Sequence, residues 1–202
     1  MEPLVNERGY ELICFHANGT GGLAMEQMVS ESLILGVLDL TLHEIADDIF
    51  GGYCRGAGET RLDIECSKGV PVVLAPGGLH NAVFSPHYPM PEKLKGRKVY
   101  YHDIRFCVRM EKEEMILFAD IIAERLSKAK GPVKVLIPMR GFSEIDLEDN
   151  EFFDKEAPQV FASALKSRLK KGIEIEEVDA NISELSFARK AVDSLFFMMK
   201  GH

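Results

Sequence analysis

The feature that most constrains this chain is an alternation. Short apolar runs of strand length are each followed by a segment whose apolar residues recur at helical spacing. The runs are Leu12–Phe15, Gly36–Leu42, Val70–Ala75, Lys98–His102, Val133–Ile137 and Ile173–Val178. Helical faces are carried by Met115, Phe118, Ala119, Ile122 and Leu126, by Val160, Phe161, Ala164, Leu165 and Leu169, and by Leu185, Ala188, Val192, Leu195 and Met199. Most of the runs are apolar on both faces of a strand, and a helix separates most of them from the next, a long loop over 76–91 rich in Gly, Pro and His standing between the third and the fourth. That pattern requires crossover connections and a mainly parallel sheet covered on both sides. The expectation is an α/β fold: one Rossmann-like three-layer αβα sandwich over residues 1–202. Its mainly parallel sheet should have about six strands, near 12–16, 37–41, 71–75, 98–102, 133–137 and 174–178. A short helix over 2–8 stops at Gly9, and Asn181 with Glu184 suits a capping box before the last helix.

The first run leads into Asn18-Gly-Thr-Gly-Gly22, and a helical pattern follows at once. A strand, a glycine-rich turn and a helix together aim backbone N–H groups at an anion. Gly19, Gly21 and Gly22 permit positive φ and close ligand approach, and Thr20 adds a hydroxyl. The competing reading is a plain strand-to-helix turn with Thr20 as N-cap. The stretch is neither G-x-x-x-x-G-K-[ST] nor G-x-G-x-x-G.

In an open parallel sheet, ligands bind beyond the carboxyl ends of the strands. His16, His43, His80, His87 and His102 all follow predicted strands, whereas His202 is terminal. His16, His43, His80 and His102 are therefore candidate acid–base groups. His80, His87 and His102 could gather as a cluster, more readily lining a pocket than holding a metal. His43 and Asp47 share a helical face, but N-terminal dipole effects explain that pair as well, and no metal is expected. Arg140, Gly141 and Ser143 follow the fifth predicted strand. A guanidinium fork there suits a carboxylate or phosphate, and pairing with Asp146 or Asp154 is the alternative.

Charge excludes some partners. With 24 basic and 32 acidic residues the formal charge is −8, and there is no basic stripe. Nucleic acid and anionic membranes are therefore not expected. The Lys166–Lys171 cluster reads as compensation for a helix end. Four cysteines without a C-x-x-C pair fit free thiols in a reducing, cytoplasmic setting, with Cys14 buried in a strand. No secretory leader or membrane span is apparent at this stage.

Several motifs together resemble one family. They are F-H-A-N-G-T-G-G at 15–22, L-D-L-T at 38–41, A-D-D-I-F-G-G at 46–52 and V-P-V-V-L-A-P-G at 70–77. L-I-P-M-R-G-F-S at 136–143, F-F-D at 152–154 and E-V-D-A at 177–180 complete the set. The chain resembles the uncharacterised ATP-binding family named for the tomato mosaic virus resistance protein. The resemblance implies two successive Rossmann-like halves, of which this is the C-terminal one. It also implies ATP or another phosphorylated ligand, with the nucleotide site resting largely on an N-terminal half. Ligand-facing positions would be His16, Gly19, Thr20, Gly21, Gly22, Arg140 and Ser143.

Three functions follow as expectations. The first is a half-domain forming one wall of an interdomain cleft for a nucleotide or phosphorylated, anionic small molecule. The second is an enzyme using strand-end histidines with an arginine anion clamp. The third is a protein-interaction or inhibitory module. The expected partner is an N-terminal half-domain or a second copy in a homodimer. Surface for self-association is sought at Leu4, Val5, Tyr10, Phe84 and Tyr88.

Overall fold

A computed structural model of the chain describes residues 1–170 and 172–201. Lys171 of the basic cluster and the terminal His202 lie outside the described residues. The elements run, in order, α1 (Glu2–Asn6), α2 (Thr20–Ser30), β1 (Val37–Thr41), α3 (His43–Phe50), α4 (Asp63–Ser67), β2 (Val72–Gly77) and β3 (Asn81–Phe84). A 3-10 turn at Glu92–Leu94 precedes β4 (Val99–Tyr101), β5 (Phe106–Arg109), α5 (Lys112–Leu126), β6 (Val133–Pro138), α6 (Ala157–Arg168), β7 (Glu174–Val178) and α7 (Leu185–Met199).

β1, β2, β6 and β7 form one sheet in the order β1-β2-β6-β7, and every pairing in it is parallel. β2 is buried along its whole length, and its alternate residues serve two layers. Val73 and Ala75 join Leu136 under Phe187, Ala191 and Leu195 of α7. Val72 and Leu74 join Val135 and Ile137 in the larger core with Phe118 and Ile122 of α5 and Phe161 and Leu165 of α6. The three-layer α/β expectation therefore holds, with four strands in the parallel sheet rather than six.

Two of the expected strands are elsewhere. Leu12–His16 forms no ladder. Leu12 and Phe15 pack half-buried on the core, while Ile13, Cys14 and His16 are exposed, so no residue of the run is fully buried. Cys14 is thus an exposed thiol, not a buried strand residue. The run at 98–102 does make a strand, β4, but in a separate antiparallel sheet of order β3-β5-β4. β3 lies inside the stretch that reads as a loop over 76–91, because four residues between glycine and proline clusters carry little periodic signal.

Part of the surface proposed for self-association is covered, although Tyr10 stays 41% exposed and Tyr88 is half-buried. Leu4 and Val5 pack against Val192 and Phe196, Tyr10 meets the Phe196 ring edge-on at 5.0 Å, and Phe84 is fully buried.

Candidate functional site at the carboxyl edge

The carboxyl ends of all four parallel strands are tied into one rim. Leu42 N–H donates to Gly77 O at 2.8 Å, joining the ends of β1 and β2. Gly78 N–H donates to Phe142 O at 2.9 Å, joining β2 to the loop after β6. Arg140 N–H donates to Ala180 O at 3.0 Å and Ile182 N–H to Gly141 O at 3.2 Å, reaching the loop after β7. The His43 ring bonds to the carbonyl of Ala17, which brings in the glycine turn.

That turn is occupied from within. Gly19, not Thr20, is the N-cap of α2, and it is the one glycine of the three with positive φ, at 88°. Its N–H donates to Glu44 Oε1 at 2.7 Å, and Gly21 N–H donates to Asn18 Oδ1 at 3.1 Å. A Cβ on Gly21 would fall on the His16 carbonyl, and one on Gly22 would meet Glu44 and Arg61. These glycines serve close internal packing. A phosphate at this turn would find two of its amides already engaged and a carboxylate behind them.

Behind the turn, Arg61 is buried among four carboxylates, a group that sequence reasoning missed. Its Nε reaches Glu44 Oε2 at 3.0 Å, its Nη2 reaches Asp39 at 2.7 Å, and its Nη1 lies 3.4 Å from Glu26 and 3.9 Å from Glu65. Burial, then Asp39, pushes Glu65 well above the usual carboxylate range. Burial also raises Glu26, although Leu62 N–H and Arg61 oppose it. One arginine cannot neutralise four acids in a dry interior, so protons take up the excess. A single Arg in an irregular segment, far in sequence from Glu26 and Asp39, leaves no pattern to find.

The loop after β6 is held in the same manner. Asp146 accepts from Arg109 Nη1 at 2.7 Å and from Phe142 N–H at 2.9 Å. Asn181 Nδ2 lies within 3.2 Å of the carbonyls of Arg140, Ser143 and Asp146. Gly141 has φ of 121°, and a Cβ there would strike the Asp146 carbonyl. Asn181 also accepts from Ser183 N–H, while its own N–H donates to Glu184, so the expected box becomes a turn before α7.

His80 sits inside this loop, fully buried, with Phe142 and Phe152 edge-on to its ring. Burial first, then the charges of Arg109 and His43, hold its pKa well below the usual value, so it is neutral. Asn81 Nδ2 is 3.2 Å from Nε2, which makes Nε2 the acceptor and places the proton on Nδ1. Ser143 Oγ is 3.0 Å from the same Nε2. Nδ1 has no partner among the described residues.

Arg140 is exposed and pairs with Asp179 through two bonds of 2.8 and 2.9 Å, not with Asp146 or Asp154. His16 and Thr20 are exposed beside the glycine turn. The rim does not gather every histidine: His87 and His102 lie exposed beside the strands of the small sheet, apart from buried His80. His43, Asp47 and Cys54 do come together, with one possible ligand atom from each within 4.8 Å of the others.

Fold and site together define an open parallel α/β protein whose strand-end loops form a single polar rim over a buried charge cluster. The chain belongs to the uncharacterised protein family UPF0261, matching the family's C-terminal domain over residues 1–199. It is 36% identical over 198 residues to a UPF0261 protein of Clostridium tetani, covering 97% of this chain and 49% of that protein. It is also 36% identical over 196 residues to the ToMV resistance protein Tm-1(GCR237) of Solanum lycopersicum, covering 96% of this chain and 26% of the tomato protein. The ToMV susceptible protein tm-1(GCR26) is 35% identical over 200 residues, with 98% and 26% covered. The chain thus spans about half or less of the relatives it matches. Among the described residues, no helix is long and apolar enough to cross a membrane.

Proposed function

We propose that this domain supplies one wall of a cleft for a small anionic ligand, a nucleotide such as ATP or another phosphorylated molecule. The carrying observation is Arg140. Its guanidinium stands exposed at the head of β6, on a loop whose backbone is pinned by Asn181 and Asp146. Its partner Asp179 is equally open to water, and an exposed pair of this kind exchanges readily for a better anion. Thr20 and His16, on the glycine turn at the other end of the rim, are the remaining exposed polar candidates. The turn amides contribute less, since Glu44 and Asn18 already hold two of them. A second wall, from a further domain or a second copy, would bury the rest of the ligand.

Calorimetric titration of the 202-residue chain with ATP and inorganic phosphate tests this. Binding should be weak and should fall at least tenfold in Arg140→Ala. Binding unchanged in that variant would remove the rim from the reading.

One observation favours an enzyme as a second reading: the 3.0 Å contact between Ser143 Oγ and a neutral His80 whose Nε2 is an acceptor. That is the ground state of a hydroxyl poised to give its proton to a base. Labelling by a serine-directed phosphonate that is lost in Ser143→Ala would support it. Absence of labelling in the native chain would count against it.

A further inference from the structure

We infer that His43, Asp47 and Cys54 form a three-ligand site for zinc or a similar borderline divalent cation. The inference goes beyond the anion-binding reading and does not depend on it. A ring nitrogen of His43, a carboxylate oxygen of Asp47 and Cys54 Sγ fall within 4.8 Å of one another. Tetrahedral zinc implies ligand separations of about 3.3–3.8 Å, so binding would draw the three atoms together by about 1 Å. Asp47 and Cys54 are buried and His43 is half-buried, so the cation would leave little of its coordination shell to water.

The surroundings are arranged as metal ligands usually are. His43 Nε2–H donates to the Ala17 carbonyl, which leaves Nδ1 as the nitrogen with a lone pair. The Asp47 carboxylate is oriented by two backbone amides, Val83 N–H at 2.8 Å and Cys54 N–H at 2.6 Å. Beyond those amides the carboxylate also accepts from the Cys54 thiol, the contact that a shared cation would replace. Gly52 makes the room: a Cβ there would collide with the Asp47 carboxyl group. His43 and Asp47 stand at i and i+4 on α3, and Cys54 returns from the turn after it.

On binding, Cys54 loses its proton to solvent and the sulfur–metal bond takes its place. One imidazole, one carboxylate and one thiolate suit zinc better than magnesium or calcium. Three protein ligands leave a fourth position for water or for an oxygen of a bound molecule.

Titration of the intact chain with Co(II) tests the site, because cobalt reports its ligands by absorbance. The expected result is one equivalent bound, with tetrahedral d–d bands and a thiolate-to-cobalt charge-transfer band, both erased by zinc. Cys54→Ser should abolish the charge-transfer band while circular dichroism stays native, and His43→Ala should weaken binding at least tenfold. Absence of the charge-transfer band in the native chain would overturn the inference without any variant. Its persistence in Cys54→Ser would do the same, by assigning the sulfur to the exposed Cys14 or to Cys107.

Discussion

Arg61 and His80 show how single buried residues set the chemistry beneath this rim. Replacing Arg61 by Gln would leave Glu26, Asp39, Glu44 and Glu65 without their common cation. Breaking a buried ion-pair group in this manner costs roughly 3–5 kcal/mol, and chemical denaturation should read a loss of that order. Glu65→Gln should behave differently. Glu65 is held protonated, by burial first, and a protonated carboxyl and an amide have nearly the same shape. The unfolded chain ionises Glu65 above its ordinary 4.5, so this group's contribution is complete below that pH and is lost as pH rises toward its folded value. The Gln variant should therefore fold normally and lose less stability between pH 5 and 7 than the native chain. His80 works with the opposite sign. It stays neutral in the folded state, so below its ordinary 6.5 the unfolded chain binds a proton that the folded chain refuses. Its contribution is full above that pH and falls as pH drops, with a slope of at most about 1.4 kcal/mol per pH unit. Urea melts from pH 5 to 7.5 on the native chain and on His80→Asn should differ by this slope below the ordinary 6.5, because the opposing Glu65 contribution is common to both and cancels in the difference. These residues were legible to unequal degrees. His80 and Ser143 stand at strand ends where open α/β sheets carry their chemistry, so position alone marked them. Arg61, Glu26 and Arg109 were invisible, because what matters about each is a partner many residues away.

Among the elements, β2 and β6 were readable since an unbroken apolar run of strand length has few alternatives. The helices α5, α6 and α7 were readable through their apolar stripes. The failures share one cause: local pattern does not say which sheet a strand joins, or whether it joins one. Leu12–His16 has the composition of a strand yet makes no ladder, and β4 found one antiparallel neighbour, β5. The glycine turn stands out in the sequence, and the structure adds a packing reason for one of its glycines. Gly21 sits where any side chain would strike the His16 carbonyl, so the glycine keeps the turn folded against the extended segment that leads into it. Gly21→Val should therefore destabilise the chain, by about 1–3 kcal/mol as overpacking typically does. A lowered Tm in the absence of any ligand would separate this from a ligand-blocking effect. An unchanged Tm would mean that the turn moves aside easily.

At the scale of the whole molecule, the sheet has an open side. β1 pairs only with β2, and its other edge faces a cavity of about 440 Å³ lined by Leu12, Cys14, Phe15, Val37, Leu38 and Phe196. The exposed Ile13, Leu33 and Leu35 flank this edge, Leu35 with 67% of its surface open. Unpaired strand edges beside apolar side chains recruit other chains unless a charge or a proline guards them. Nothing of that kind stands at Leu33-Ile-Leu35. Of the residues first considered for association, Leu4, Val5 and Phe84 are spent on the interior while Tyr10 stays exposed, and this edge adds a larger apolar surface to it. The chain alone should self-associate as its concentration rises, through β1 and the turn before it. Light scattering coupled to gel filtration should show a mass that grows with loading. Leu35→Lys should return it to a monomer without changing the circular dichroism, because that side chain is exposed and supports no core. A monomer at every concentration would mean that the 11–16 segment already protects the edge. A dimer that survives Leu35→Lys would place the contact elsewhere, for which the exposed Tyr101 at the end of β4 and Ile104 in the turn after it are the next surface to test.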